Sequence, residues 1–503
     1  MTHSPSTNLR AGRREWTAFV VLLLPLLLVS MDVSVLYFAI PSITRELDPS
    51  ATQQLWIFDV YAFALAGLLI TMGSLGDRIG RRRLLLIGAT AFGLASVTAA
   101  YATSAEMLIA ARALLGVGGA TLMPSTMGLV RNMFRDDRQR GQAIGIWSGA
   151  MAGGIALGSV LSGVLLEHFW WGSVFLINVP AMLLLLVLAP LLVPEFKDPA
   201  PGKFDLLGAV LSMGAVLPVV YGLKEIAAEG FGAARLLYVA GGLAVGGLFV
   251  RRQRRGRDAM ISRELFRDRV FGAGISLNAV AAFAMMGSAY FTTQYLQSVL
   301  GMGTLEAALW SLAPSLAVGI AAPAATAVAA RSGKAPVIAS GFAIGAAGYG
   351  VLALTGTDSL WLVLTGAAVI AGGIVMVMAL VSDMALAAAP AEKAGSAASL
   401  LETGQEFGGA MGMAVLGSIG TAVYRSDMPG SAPAAARETL GAAVAGTDHS
   451  LIATAREAFV HGMRYAAVGG TVLLAVAAGV AVLLLRGTKA AAPAPAPERE
   501  PVA

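Results

Sequence analysis

A chain of 503 residues that is 57% hydrophobic and 13% charged has too little polar surface for a water-soluble fold of its size; soluble domains carry roughly 25% charged residues. Its net charge of +5 comes from 29 Arg and 6 Lys against 30 acids, and the absence of Cys excludes a disulfide scaffold and a thiolate metal site. Abundant Arg, Ala and Gly point to a bacterium with a GC-rich genome.

Apolar runs of about 20 residues recur from Trp16 to Leu485, each long enough to cross a hydrocarbon layer of about 30 Å as a helix. Residues 1–15 carry Arg10, Arg13 and Arg14 like the start of a signal peptide, but the following run is too long and lacks a cleavage site, so it reads as an uncleaved first span. Spans are expected at 16–38, 53–75, 82–101, 106–129, 141–166, 171–193 and 204–223, then at 233–250, 271–297, 305–329, 335–354, 359–386, 395–423 and 464–485. With the N-terminus inside, the inward segments of this fourteen-span topology hold 27 basic residues and the outward segments 7. That asymmetry fits the positive-inside rule and places both termini in the cytoplasm of a cell inner membrane. The remaining basic residue, Arg112, falls inside a span.

Residues 251–269 hold eight Arg and read as a topogenic loop against anionic headgroups rather than a nucleic-acid site. Residues 424–463 form the long outward loop, with a helix-like stretch near Leu451–Met463, and the Ala/Pro tail 491–503 is expected to be disordered. Shifting the sequence by 254 positions places Gly141, Gly154 and Gly158 on Gly395, Gly408 and Gly412. The duplication predicts an all-α protein with a six-helix bundle at 1–200, two inserted helices at 201–255 and a second six-helix bundle at 256–490. Paired bundles with a substrate site between them suit a rocking carrier.

The loop between spans 2 and 3 reads Gly73-Ser-Leu-Gly-Asp77-Arg78-Ile-Gly80-Arg81-Arg82-Arg83. Its glycines permit a tight turn and close helix approach. Asp77 among arginines is odd for a plain orientation signal, whereas a carboxylate held by guanidiniums can latch neighbouring helix ends. Within the spans, Asp32, Asp59 and Arg112 sit at similar depth, each costing at least ~2.5–3.5 kcal/mol unless it pairs or lines a cavity. One arginine balances one aspartate and leaves the other carboxylate for a proton or a cationic substrate; a purely structural Asp32–Arg112 pair is the alternative. Glu402 and Glu406, four residues apart, share one helix face and repel, which favours proton exchange, though Glu402 has the alternative of snorkelling to the cytoplasmic edge. Asp383 lies at the cytoplasmic end of span 12, where exposure alone would explain it. Trp56, Phe58, Tyr61, Met285, Met286, Tyr290 and Phe407 offer an adaptable apolar pocket or ordinary helix packing.

The glycine-and-arginine loop resembles the signature of the major facilitator superfamily. Met31-Asp32 through Ala39-Ile40-Pro41, Trp56 through Tyr61 to Ala66, and Arg112-Ala-Leu-Leu-Gly116 are similar to motifs of its fourteen-span drug:proton antiporters, the multidrug exporters of the QacA, SmvA and LfrA type. The resemblance runs from Trp16 to Arg486. It implies substrate-recognition or proton-coupling roles for Asp32, Asp59 and Arg112, with export of quaternary ammonium compounds, dyes such as ethidium, and fluoroquinolones. One departure stands out: Ser159 follows Gly158 where that family has proline, although the ladder Gly149, Gly153, Gly154, Gly158 and Gly163 remains.

No phosphate-binding loop is present, since Ser332-Gly333-Lys334 is followed by Ala335, and His3, His168, His449 and His461 match no zinc spacing. The driving force is therefore expected to be a proton gradient without a cofactor or metal. The expected partners are protons, small lipophilic cations and membrane lipids, with the chain acting as a monomer. Export of an endogenous metabolite or self-made antibiotic remains an alternative on the same fold, and a membrane sensor a remote one.

Overall fold

The structure, a computed structural model, describes residues 10–197, 206–229, 232–255, 265, 269–388 and 394–485. Most of the arginine-rich segment beyond Arg255 and the whole 491–503 tail lie outside the described residues. Every regular element described is helical. The first group comprises α1 (Arg13–Leu47), α2 (Ala51–Ile79), α3 (Arg81–Ala100), α4 (Ala105–Met133), α5 (Asp137–His168), the short α6 (Ser173–Leu176) and α7 (Asn178–Leu192). Helices α8 (Leu206–Glu229) and α9 (Ala233–Arg255) follow. The last group begins with α10 (Arg269–Gln294), which runs into a π-helical turn (Tyr295–Val299). It continues with α11 (Thr304–Trp310), α12 (Leu312–Ser332), α13 (Lys334–Leu352), α14 (Leu360–Ala388), α15 (Ala394–Asp427), α16 (Ala434–Glu438), α17 (Leu440–Val444) and α18 (His449–Leu485).

Among the described residues, twelve helical spans are long and apolar enough to cross a membrane. Helix α2, bent by 53° between Leu69 and Thr71, makes a thirteenth when its two parts are taken together. The apolar stretch of α8 is shorter, Val210–Gly222. Helix starts are capped from the sequence: Ser50, Ser104 and Asp136 accept from the backbone N–H groups of Gln53, Met107 and Gln139.

Two expected spans are interrupted. Proline has no N–H, so Pro180 leaves the Leu176 carbonyl without its helical donor and Pro314 does the same to Trp310. The breaks fall at those places, between α6 and α7 and between α11 and α12. Nearer the end of the chain, the stretch expected as a separate element within a 424–463 loop is the start of α18. No proline interrupts it from His449 to Leu485, so one 37-residue helix forms, and the connection from α15 spans only residues 428–448.

Helices α1–α7 pack on one another as one bundle, and α10–α15 with α18 as a second, while α8 packs on both α2 and α15. The glycine duplication acts alike in each. Helix α5 approaches α1 where a side chain on Gly154 would meet the Leu27 backbone and Ser30, and one on Gly158 would meet Met31 and Ser34. In the second bundle, Gly408 and Gly412 bring α15 against the backbone of α10 at Ala279 and Phe283. Such contacts give helix pairs in lipid their packing energy, because lipid tails compete equally for apolar side chains.

The end of the molecule carrying the α2–α3 and α12–α13 turns is rich in arginine and is called the basic end; the opposite end carries α16 and α17 and is called the cap end. Three hydrogen bonds join the two bundles towards the cap end. Gln297 Nε2 donates to the Tyr37 carbonyl at 3.4 Å, Tyr37 Oη meets Met286 Sδ at 3.5 Å, and the Ala51 N–H donates to Glu438 at 3.2 Å.

Gly158→Val and Gly412→Val are expected to abolish recovery of monodisperse protein in detergent gel filtration, because the added atoms meet backbone rather than a movable side chain. Gly153→Ala, which opens onto free space, is expected to leave the elution profile unchanged.

Candidate functional site

At the centre of the first bundle, Arg112 of α4 is 1% exposed and Asp32 of α1 is 4% exposed. They form an ion pair through Nη1 and Oδ2. Arg112 Nε also donates to the Ile57 carbonyl of α2 at 3.1 Å, and its guanidinium stacks 4.6 Å from the Tyr61 ring centroid. Tyr61 is in turn anchored to the Val29 carbonyl at 3.5 Å. One guanidinium thereby ties α1, α2 and α4 together. The helix-packing glycines admit this geometry, since a side chain on Gly116 would strike the Tyr61 backbone.

Asp59 is 1% exposed and lies on α2, two positions before Tyr61. It is within electrostatic reach of the Tyr37 and Tyr290 hydroxyls. Glu406 of α15 reaches both Tyr37 and Tyr61 in the same way, so an acid of the second bundle joins the acids of the first. Glu402 sits one turn nearer the basic end, within reach of Glu406, and its Oε1 has no hydrogen-bond partner among the described residues. Both glutamates keep part of their surface accessible, whereas Asp32 and Asp59 are buried. The structure thus gathers Asp32, Asp59, Arg112 and Glu406 around Tyr37 and Tyr61.

Asp383 lies elsewhere. Its side chain is 65% exposed at the basic end and pairs with Lys334 Nζ at 2.6 Å. Of the expected aromatic pocket, Tyr61 and Phe58 are at the cluster, Phe58 stacking between Tyr37 and Tyr290 at centroid distances of 5.3 and 5.4 Å. Trp56 turns towards Tyr221 of α8, 6.3 Å away, and Phe407 towards Phe63 at 6.4 Å.

At the basic end, Gly80 occupies φ +111°, a conformation that side chains rarely adopt, and lets α3 begin directly after α2. Arg81 pairs with Asp77 one turn back at 2.5 Å and donates to the Pro124 carbonyl of α4 at 2.8 Å. Arg78 closes the last turn of α2, and Gly73 makes ordinary contact with Pro124. Sequence reasoning missed Glu195. Its two carboxylate oxygens accept from the Arg82 and Arg83 backbone N–H groups at 2.9 and 3.1 Å, capping the start of α3 from beyond α7. A carboxylate at a helix N-terminus also meets the positive end of the helix dipole. A glutamate three residues past the end of α7 carries no local signal of this role.

Among the described residues, no group of three His, Asp or Glu is placed to hold a metal. Two helical bundles with buried charges where they face one another define a polytopic membrane transporter. A model of the Major Facilitator Superfamily matches residues 22–413, and the chain belongs to that family. It is 43% identical over 502 residues to the multidrug efflux pump LfrA of Mycolicibacterium smegmatis, covering 96% of this chain and 98% of that protein. It is 36% identical to the methyl viologen resistance protein SmvA of Salmonella typhimurium, covering 80% of this chain and 82% of that one. Among solved structures, an inward-facing, unoccupied bacterial homologue of the human lysosomal transporter Spinster shares the fold with a TM-score of 0.66 at 17% identity, covering 95% of this chain and 98% of that one.

Removing one partner of a buried ion pair costs about 3–5 kcal/mol, because the other charge is left buried. Arg112→Met is therefore expected to lower the melting temperature in detergent sharply. A double Asp32→Asn/Arg112→Met variant recovers most of that loss, a coupling read from thermal unfolding of the four proteins. Glu195→Gln is expected to lose about 1 kcal/mol, the scale of a helix cap, in the same assay.

Proposed function

We propose that this protein is a proton-driven antiporter that exports lipophilic organic cations, such as quaternary ammonium compounds and ethidium, by alternating access. The observation carrying this reading is that Asp32 pairs with Arg112 in the first bundle while Asp59 of α2 and Glu406 of α15 both lie within electrostatic reach of Tyr37. Of the basic residues within the expected spans, Arg82, Arg83, Arg235 and Arg464 lie at the span ends and Arg112 alone lies deeper, so these carboxylates outnumber the cations available at that depth. An excess acid buried in the membrane either takes a proton or meets a cationic ligand. Competition between the two for the same carboxylates couples their fluxes in opposite directions. The names of the relatives LfrA and SmvA, a multidrug efflux pump and a methyl viologen resistance protein, support the cation class.

On the fourteen-span reading, both termini and the basic end face the cytoplasm of the inner membrane, and α16–α17 face outward. The bundles are then joined at the outer side, and the glutamates of α15 meet cargo from inside. Asp32 and Arg112 set the architecture of the site, Asp59 and Glu406 exchange proton for cation, and Glu402 passes the proton towards the basic end. The Asp77–Arg81 loop stiffens the inner ends of α2 and α4, and Lys334–Asp383 does the same for α13 and α14.

Ethidium efflux from energised cells tests the reading. Wild-type efflux is expected to stop when a protonophore collapses the gradient, and Asp59→Asn and Glu406→Gln each to slow it by about tenfold or more, the scale of one lost charge-assisted contact. Efflux unchanged after collapse of the gradient defeats proton coupling. A strain protected only against a self-made neutral compound, with no ethidium efflux, defeats the cation class.

A further inference from the structure

A second cluster of cation-holding groups lies at the cap end, away from the central acids. Between α2, α10, α15, α17 and α18 is a cavity of about 30 Å³ lined by Glu438, Gln294, Tyr290, Phe291, Tyr424 and Phe459. Gln294 is 7% exposed, and its Oε1 is buried with no hydrogen-bond partner among the described residues. Glu438 closes one side. It accepts from the Ala51 N–H at the start of α2, 3.2 Å away, and pairs with Arg425 of α15.

The cavity is also joined to the central site by aromatic rings. Tyr37 and Phe58, the latter next to Asp59, lie 5.3 Å apart, Phe58 and Tyr290 5.4 Å, Tyr290 and Phe291 5.2 Å, and Phe291 and Phe459 6.0 Å. Aromatic faces attract organic cations, and a row of them guides a flat, lipophilic one without trapping it. A carboxylate, an amide oxygen with no other partner and several rings form a receptor for an organic cation rather than for an anion or a sugar.

We infer that Glu438, with the rings of Tyr290, Phe291 and Phe459, forms a second, outer binding site for the exported lipophilic cation, reached from Asp59 along this aromatic row. The inference rests on the cation-export reading. In the arrangement seen here, the cavity has room for about a water or two, and the Glu438 charge is satisfied by Arg425. When the outer ends of α2 and α15 part, the space widens. The arriving cation then takes the place of Arg425 at Glu438, and return of Arg425 releases it outward.

The test uses the full-length protein in lipid nanodiscs and ethidium monoazide, a light-activated ethidium, with excess ethidium as competitor and peptide mapping as readout. Labelling that ethidium suppresses is expected on peptides containing Tyr424 or Phe459 as well as on peptides from α1 and α2. Glu438→Gln is expected to lower the outer label by about fivefold or more and to leave the α1 and α2 label unchanged, whereas Arg425→Met, which removes the competing guanidinium, raises the outer label. If Glu438 serves only to tie α2 to α15, both substitutions shift the outer label in the same direction, and that result overturns the inference. Label confined to α1 and α2 overturns it while leaving the export reading intact. No suppressible label anywhere overturns both. Should Glu438→Gln fail to give a monodisperse protein, Phe459→Leu replaces it, with loss of outer label expected and an unchanged outer label decisive against the site.

Discussion

A charge placed in hydrocarbon has to be answered by another group, and in this protein Arg112 is answered three times, by Asp32, by the Ile57 carbonyl and by the Tyr61 ring. The three answers come from α1 and α2 to a side chain of α4. Their cost in desolvation is offset only while all of them hold, so the three helices form one rigid unit. That rigidity has a functional side. On the proposed antiport reading, Asp32 stays committed to Arg112, and Glu406 of the second bundle is an acid whose surroundings change as the bundles move.

Rigidity within each bundle and movement between them follow from different kinds of contact. Gly154 and Gly158 in one bundle, and Gly408 and Gly412 in the other, bring helix backbones into direct contact over more than one turn. Separating them would open voids that lipid cannot fill, so each bundle is expected to move as a body. Between the bundles, α15 packs on α2 and α11 on α5 through mostly apolar surfaces, with polar links at a methionine sulfur, an amide to a carbonyl and a carboxylate at a helix start. These polar links are half-buried, and the apolar contact around them has no preferred direction.

Features with a local physical signature were legible in the sequence. The pair Gly154 and Gly158 signalled close helix packing, although Gly149 and Gly153 at the same spacing open onto free space, and an arginine inside an apolar run demands a partner at matching depth, which left Asp32 and Asp59 as candidates. Glycine before a run of arginines announced the tight α2–α3 turn. What escaped depends on chain segments far apart in sequence. Glu195 and the start of α3 are separated by more than a hundred residues, and nothing near either one encodes their meeting. The same holds for Glu438, whose partners lie on α2 and α15. The breaks at α6–α7 and α11–α12 were readable in principle from Pro180 and Pro314, but a continuous apolar run masks a missing hydrogen bond when only hydropathy is weighed. The start of α18 was foreseen as a helix-like stretch near Leu451–Met463, but its continuity with the last span was not, since the polar turns around Arg456, His461 and Arg464 interrupt the apolar run.

The two helices between the bundles pose a mechanical problem, because α8 touches both sides of the moving seam. Its contact surface resolves it. Val216, Leu217 and Val220 pack with Phe63 of α2 and Ala410 and Ala414 of α15 in one apolar cluster. Apolar contact has no preferred direction, so such a surface slides at little cost, whereas a row of hydrogen bonds would have to break together. Helix α9, by contrast, presents Leu237 and Leu243 outward with 71% and 63% of their surfaces exposed, as suits a face towards lipid. The inserted pair therefore shields the seam from the bilayer, with the Ser212 hydroxyl of α8 donating to the Gly67 carbonyl of α2 at 3.5 Å and apolar contact towards α15. On the antiport reading, a polar substitution that links α8 to α15 as well would tie the two bundles and restrain their separation.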